Sequence, residues 1–211
     1  MLLDGQPSRR ASTCTGCDIK AHVDHSVSEI WAHRYAIDSQ FEHVLMSDVK
    51  DSRQKFLQRE FGKKQVLCGD MQELSDGHSV TCINAEGPVP VPDFSGFGSG
   101  FPCISRTPLS SKMKANLNCA QEGLDATGSS VKLILGILDR HAPDEVTLEC
   151  VVQLLQLAAG SDESDADWIV SQLQSRGLWS IVVQTDAADY ASFVVRNRLW
   201  WEGIRDLVSS S

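Results

Sequence analysis

From Phe41 to Ile204, short apolar runs alternate with segments of helical periodicity, and this alternation leaves the chain few folds to adopt. "FEHVLMSD", "KQVLCGD", "SVTCIN", "DEVTLECV", "WSIVVQTDA" and "RLWWEGI" read as strands, several of them rich in β-branched residues. Helical spacing marks "SVSEIWAHRYAI", with Ile30, Trp31 and Tyr35 at helical offsets. It also marks "VKDSRQKFLQREFG", with Phe56, Leu57 and Phe61 on one side and Gly62 as its stop. "SSVKLILGILDRH", "VQLLQLAAG" ended by Gly160, and "WIVSQLQSRG" ended by Gly177 read as further helices. The residues up to Thr13 read as loose, Gly87 to Pro108 as loop, and "SDESDAD" as an acidic loop. Strands that alternate with helices predict an α/β fold with a mostly parallel sheet. In such a fold ligands bind beyond the carboxyl ends of the strands, which directs attention to Asp48, Asp70, the "GFPC" loop and Glu149.

The 211 residues suffice for one full-sized α/β domain. The formal charge of −9 is the wrong sign for a generic nucleic-acid binder, although it permits a basic cleft on an acidic body. The opening "MLLDGQPSRR" lacks the apolar core of a signal peptide, and no apolar run has the roughly 20 residues of a membrane helix. Seven cysteines at irregular spacing then predict a soluble protein in a reducing compartment, with its cysteines as thiols.

Several strand ends together resemble the C5-cytosine-specific DNA methyltransferases. "GSGFPCISRTPLSS" is similar to that family's Gly-Phe-Pro-Cys loop, with Cys103 as the residue that attacks the base. "PDEVTLECV" looks like the strand that ends in a Glu-Asn-Val triplet, which here reads Glu149-Cys150-Val151. Between them, "DATGSSVKLILGILDRHAP" is similar to the connecting helix. "DAADYASFVVRNRLWWEGI" resembles the Gln-x-Arg-x-Arg segment: Arg196 and Arg198 match the arginines, and Val194 stands in place of the glutamine. Upstream, "FEHVLMSDVKDSRQKFL" aligns Asp48 with the acidic residue that holds the cofactor ribose, and "LCGDM" aligns Asp70 with the step that contacts adenine. The Gly-rich first motif is reduced to "SRRASTCTGCDI", with Gly16 as its one glycine. Four motifs in the family's order are far more specific than any one alone.

The resemblance implies a doubly wound, S-adenosylmethionine-dependent methyltransferase fold over residues 14–205, flexible ends at 1–13 and 206–211, and no target-recognition domain. It implies that Gly16, Asp48, Asp70 and Pro102 hold the cofactor and that Cys103, Glu149, Arg196 and Arg198 do the chemistry. Cytosine C5 is a poor nucleophile, so a thiolate first adds at C6. A carboxylic acid with a raised pKa near N3, the role of Glu149, relieves the charge that this places on the ring. An arginine near O2, Arg196 or Arg198, adds electrostatic stabilisation. The substrate implied is DNA, whose target base must be flipped out, or tRNA as in one branch of the family. The address implied is intracellular, and nuclear in a eukaryote, although no basic localisation cluster is present.

Other readings use the same residues. A cysteine outside such a loop is most often a buried small hydrophobe. Asp48 and Asp70 suit turns and N-caps, Glu149 can cap a following helix, and the two arginines can face solvent along an edge strand. Cys14, Cys17, His22 and His25 could hold zinc, and "SDESDAD" calcium, although the first lacks a finger's apolar core and the second suits a solvated loop. A catalytically silent remnant that serves as a binding or scaffold module is the reading of a different class.

Overall fold

The computed structural model describes residues 8–13, 41–61, 65–103, 106, 117–190 and 196–205. The chain divides into two compact units, residues 1–99 with 141–143, and residues 100–140 with 144–211. The expected helix "SVSEIWAHRYAI", Gly16, Val194, and the Cys14, Cys17, His22 and His25 set lie outside the described residues.

The first unit contains β1 (Ser8–Thr13), β2 (Phe41–Ser47), α1 (Asp51–Phe61), β3 (Val66–Cys68), α2 (Met71–Asp76), β4 (Ser79–Thr81), β5 (Pro88–Pro90) and β6 (Gly96–Gly100), with the last residue of β6 counted in the second unit. Its parallel strands run β3-β2-β1-β6. The strands β4 and β5 pair antiparallel beside them in sequence as a separate ribbon. The apolar residues of α1 do what their spacing predicts. Leu57 is buried with Met46 of β2 and Leu67 of β3, and Phe56, Phe61 and Ile83 pack against that cluster.

Two expectations are corrected here. Ser8–Thr13 is not loose: it is the strand β1, paired on both sides by β2 and β6. "SRRAST" has no apolar run, so hydropathy does not reveal it. Its backbone groups are satisfied by two neighbouring strands, and its buried hydroxyls find partners, as in the 2.9 Å bond from Thr13 Oγ1 to Ser99 Oγ. The stretch from Gly87 to Pro108 is likewise not all loop, because it contains β5 and the buried β6, "GFGSG". Glycine there reflects close packing. A Cβ on Gly96 would come within 3.1 Å of Arg10 Cγ on β1.

The second unit contains α3 (Cys119–Glu122), α4 (Asp125–His141), β7 (Glu145–Val151), α5 (Asp165–Gln174), β8 (Leu178–Asp186) and β9 (Asn197–Arg205), with the last residue of α4 counted in the first unit. The strand β9 lies between β7 and β8, antiparallel to both. On α4 the stripe Val131, Ile134, Leu135 and Leu138 is buried, as its i, i+3, i+4, i+7 spacing dictates. The expected helix in "VQLLQLAAG" is a single 3₁₀ turn, Val152–Leu155, because Leu155 and Leu157 are exposed and no apolar face drives a longer one. "SDESDAD" is loop only at its start. Ser164 caps α5 through Asp167 N, and Asp165 is buried as its first residue.

The turn between α3 and α4 is unusually tight. Gly123 takes φ = 69° at the end of α3, and a Cβ on Gly128 would strike the Cys119 carbonyl oxygen and come within 2.6 Å of Gly123 C. Gly→Ala inside a helix ordinarily gains about 1 kcal/mol. Here the backbone must move instead, at a cost of roughly 1–3 kcal/mol or more. Gly128→Ala is therefore expected to lower the urea midpoint, and an unchanged or higher midpoint would refute the close approach.

Candidate active site

Cys103 stands three residues beyond the end of β6, in the Gly-Phe-Pro-Cys loop. Two bonds fix the loop. The Cys103 carbonyl accepts from Arg106 N at 2.9 Å, and the fully buried Arg106 guanidinium donates to the carbonyl of Gln153, in the 3₁₀ turn after β7. The Cys150 thiol of β7 reaches the Phe101 carbonyl, 3.9 Å away. The loop is thereby held against the end of β7, which carries Glu149.

Sheet register brings an arginine to the same place. Glu149 pairs with Trp200 and Val151 with Arg198, so Arg198 lies diagonally next to Glu149 on the same face. Arg198 Nε and Glu149 Oε1 form an ion pair of 2.6 Å with both side chains about three-quarters buried. Cys103, Glu149 and Arg198 therefore converge. Arg196 does not join them: it is exposed, and its backbone N–H closes a turn on Asp186 Oδ1 at 3.0 Å. Pro102, half-buried, precedes the thiol directly.

The Cys103 thiol is held at about 7, below its ordinary value of 9.0. The chief cause is the hydrogen bond with Cys150, and the nearby positive charge of Arg198 acts in the same direction, while burial and Glu149 oppose them. The other thiols differ. Burial pushes Cys68 and Cys119 up to about 12. It also raises Cys150 well above the ordinary range. Only a thiolate attacks, and among the described cysteines Cys103 alone is not buried, Cys82 being buried as well, so Cys103 is the reactive thiol of that set.

A pH profile checks this. Thiolate accumulates as pH rises, so alkylation of Cys103 by iodoacetamide, resolved by peptide mass spectrometry, is expected to reach half its maximal rate near pH 7. Arg198→Ala removes a charge that favours the anion and should move the midpoint upward, whereas Arg196→Ala should leave it in place. A wild-type midpoint at the ordinary thiol value of 9.0 would refute the assignment.

The two candidate cofactor aspartates sit at adjacent carboxyl ends of the parallel strands β2 and β3, where Asp48 N donates to Cys68 O at 3.3 Å. They differ in presentation. Asp48 is 3% exposed, and its carboxylate accepts from Lys50 N at 2.9 Å and from Arg53 Nη1 at 3.2 Å. It braces the turn into α1. Asp70 is exposed and caps α2, accepting from Gln72 N at 2.9 Å, with capacity left for another donor. Asp48 is thus a buried brace, and Asp70 is the one of the pair that is open to solvent.

Three contributors escaped the sequence reading. Cys150 departs from the Asn of the matching triplet, and that departure is the only signal it offers. Arg106 looks like an ordinary loop arginine, and nothing local marks its burial. Asp165 sits in an acidic run, yet its carboxylate accepts from Ala120 N at 3.2 Å and Gln121 N at 3.3 Å. Among the described residues no cluster of three or more His, Cys, Asp or Glu side chains forms a metal site. None of the described helices is long and apolar enough to cross a membrane.

The first unit thus carries a parallel sheet with aspartates at neighbouring strand ends, and the second a Pro-Cys loop held against a Glu-bearing strand. Known proteins similar to the chain in sequence or in fold are methyltransferases. The chain is 26% identical over 152 residues to the DNA (cytosine-5-)-methyltransferase DMT5 of Cryptococcus neoformans var. grubii, a match that covers 71% of this chain and 6% of that protein. It shares its fold with the S. pombe Dnmt2 methyltransferase, at a TM-score of 0.60 and 14% identity over 97% of this chain and 53% of that one. It is equally similar in fold to the Entamoeba histolytica methyltransferase EhMeth, at a TM-score of 0.60 and 11% identity over 98% of this chain and 55% of that one. The chain thus spans about half the length of these two structures and a small part of the curated relative. No family model matches it. The doubly wound, mostly parallel α/β class expected from the sequence is the class of these structural relatives.

Proposed function

We propose that this chain is the catalytic core of a DNA cytosine-5 methyltransferase, with Cys103 as the nucleophile. The observation that carries the reading is the convergence of Cys103, Glu149 and Arg198, with the thiol held at about 7. In this reading the Cys103 thiolate adds to C6 of a cytosine that has left the duplex stack. Glu149 meets the ring nitrogen and offers it a proton or a hydrogen bond. Arg198 does two things: it orients the Glu149 carboxylate through their ion pair, and it faces the negative charge that develops on the ring. Arg106 and Cys150 keep the thiol in place. S-adenosylmethionine, when bound, supplies the methyl group that C5 receives. Asp70 is the residue of the first unit suited to contact it, with Asp48 supporting the turn beside it. DNA is the proposed substrate because the sequence relative carries that name, and tRNA oligonucleotides serve as the comparison.

A covalent trap tests the proposal. The reduced protein is incubated with S-adenosylmethionine and duplex DNA that contains 5-fluorocytosine, whose fluorine blocks release of the enzyme. The expected result is a denaturation-resistant protein–DNA complex joined at Cys103. No complex with DNA or with the matching RNA, while a known enzyme traps in parallel, would overturn the catalytic reading in favour of a silent binding module.

A further inference from the structure

We propose that Cys103 and Cys150 form a reversible disulfide, which makes the candidate nucleophile an oxidation site for hydrogen peroxide. The side chains of Cys103 and Cys150 lie close enough for each to act on the other's ionisation, so the two sulfurs are neighbours. Cys150 is anchored on β7, and its contact with the Phe101 carbonyl, 3.9 Å away, ties it to the root of the loop that carries Cys103. Closing the bond requires the sulfurs to approach to about 2.05 Å, and the mobile partner is a loop residue rather than a second strand residue. Exposure sets the order of events. Cys103 is half-buried and reachable, whereas Cys150 is 1% exposed. An oxidant meets Cys103 first, and Cys150 waits behind it. This is the arrangement of a reactive thiol next to a resolving one.

The steps balance. The Cys103 thiolate attacks one oxygen of hydrogen peroxide; an S–O bond forms, the O–O bond breaks, and hydroxide leaves. Cys103 is then a sulfenic acid. Cys150 gives its proton to the oxygen of that sulfenic acid as its sulfur attacks; the S–S bond forms, the S–O bond breaks, and the oxygen leaves as water. Two thiols have lost two electrons, and peroxide has become water. A dithiol reverses the bond by exchange. The disulfide would silence methyl transfer, a consequence that rests on Cys103 being the nucleophile, and it would protect that sulfur from irreversible over-oxidation.

The test uses the full chain and hydrogen peroxide, with no DNA. After stoichiometric peroxide, free thiols are alkylated and the protein is digested without reductant and mapped by mass spectrometry. The expected result is a Cys103–Cys150 linked peptide that is lost on treatment with dithiothreitol. In Cys150→Ser the linked peptide should be absent and a sulfenic acid should persist at Cys103, trapped by dimedone; Cys150→Ala replaces this variant if serine prevents folding. Wild-type protein that accumulates dimedone adduct or sulfinic acid at Cys103 without the linked peptide would overturn the proposal. Its failure is distinct from failure of the functional reading. A linked peptide in a protein that never traps 5-fluorocytosine DNA supports the disulfide and removes the nucleophile, whereas trapping without a linked peptide does the reverse.

Discussion

Cys103→Ala is expected to abolish the 5-fluorocytosine adduct and to lower methyl transfer by more than ~10³-fold. The size of the effect follows from the chemistry. Without a bond at C6, C5 has too little electron density to accept a methyl group, and no other described thiol is as accessible. Cys68, Cys82, Cys119 and Cys150 are all buried, and Cys68, Cys119 and Cys150 are held far above the range in which thiolate is available. The fold should survive the change, because Cys103 is only half-buried in a loop and its main structural bond is made by its carbonyl, which alanine retains. The checks are the trap and a radiolabelled methyl-transfer assay, with circular dichroism to confirm the fold. Transfer that stays within about tenfold of wild type would exclude covalent catalysis through this residue.

Trp201→Ala is expected to cost about 3–5 kcal/mol, a large share of the roughly 5–15 kcal/mol that holds a domain of this size together. Trp201 sits on the middle strand of the β7-β9-β8 sheet and is fully buried. Its ring lies 6.0 Å from that of Phe101, at the base of the Cys103 loop, and its Nε1 donates to the Ala166 carbonyl of α5 at 3.1 Å. Truncation leaves a large cavity and a carbonyl without its donor. Urea unfolding followed by tryptophan fluorescence measures the loss. A change below about 1 kcal/mol would mean that the site collapses around the missing ring. Trp201→Phe, which keeps most of the volume and loses the hydrogen bond, should fall between the two proteins.

Legibility varied with how each element earns its burial. The strands β2, β7, β8 and β9 and the helices α1, α4 and α5 bury their own apolar side chains, so their periodicity declares them. By contrast, β1 and β6 are buried by their neighbours. Serines, threonines and glycines serve there because ladders on β1 and close backbone contact supply what hydrophobic side chains do elsewhere. The 3₁₀ turn after β7 shows the opposite error, since leucines at helical spacing suggest a helix that the exposed Leu155 and Leu157 do not sustain.

The site divides in the same way. Cys103, Glu149 and the arginine pair were singled out through motif order, and the structure brings Cys103, Glu149 and Arg198 together. Choosing Arg198 over Arg196 required the register of β7 with β9, which sets one beside Glu149 and leaves the other at a turn. Asp48 and Asp70 were read as strand-end acids aligned with the ribose-holding and adenine-contacting positions; burial separates them into a buried brace of a turn and an exposed helix cap.

By itself, then, the sequence determined the alternation of strands and helices and singled out Cys103 as the candidate nucleophile, since both are written in local pattern. Tertiary structure alone decided that a polar segment forms β1, that Arg198 is the partner of Glu149, and that Cys150 and Arg106 hold the Cys103 loop. The reason is physical. Burial, register and a thiol's readiness to ionise depend on neighbours distant in the chain, and no local pattern encodes them.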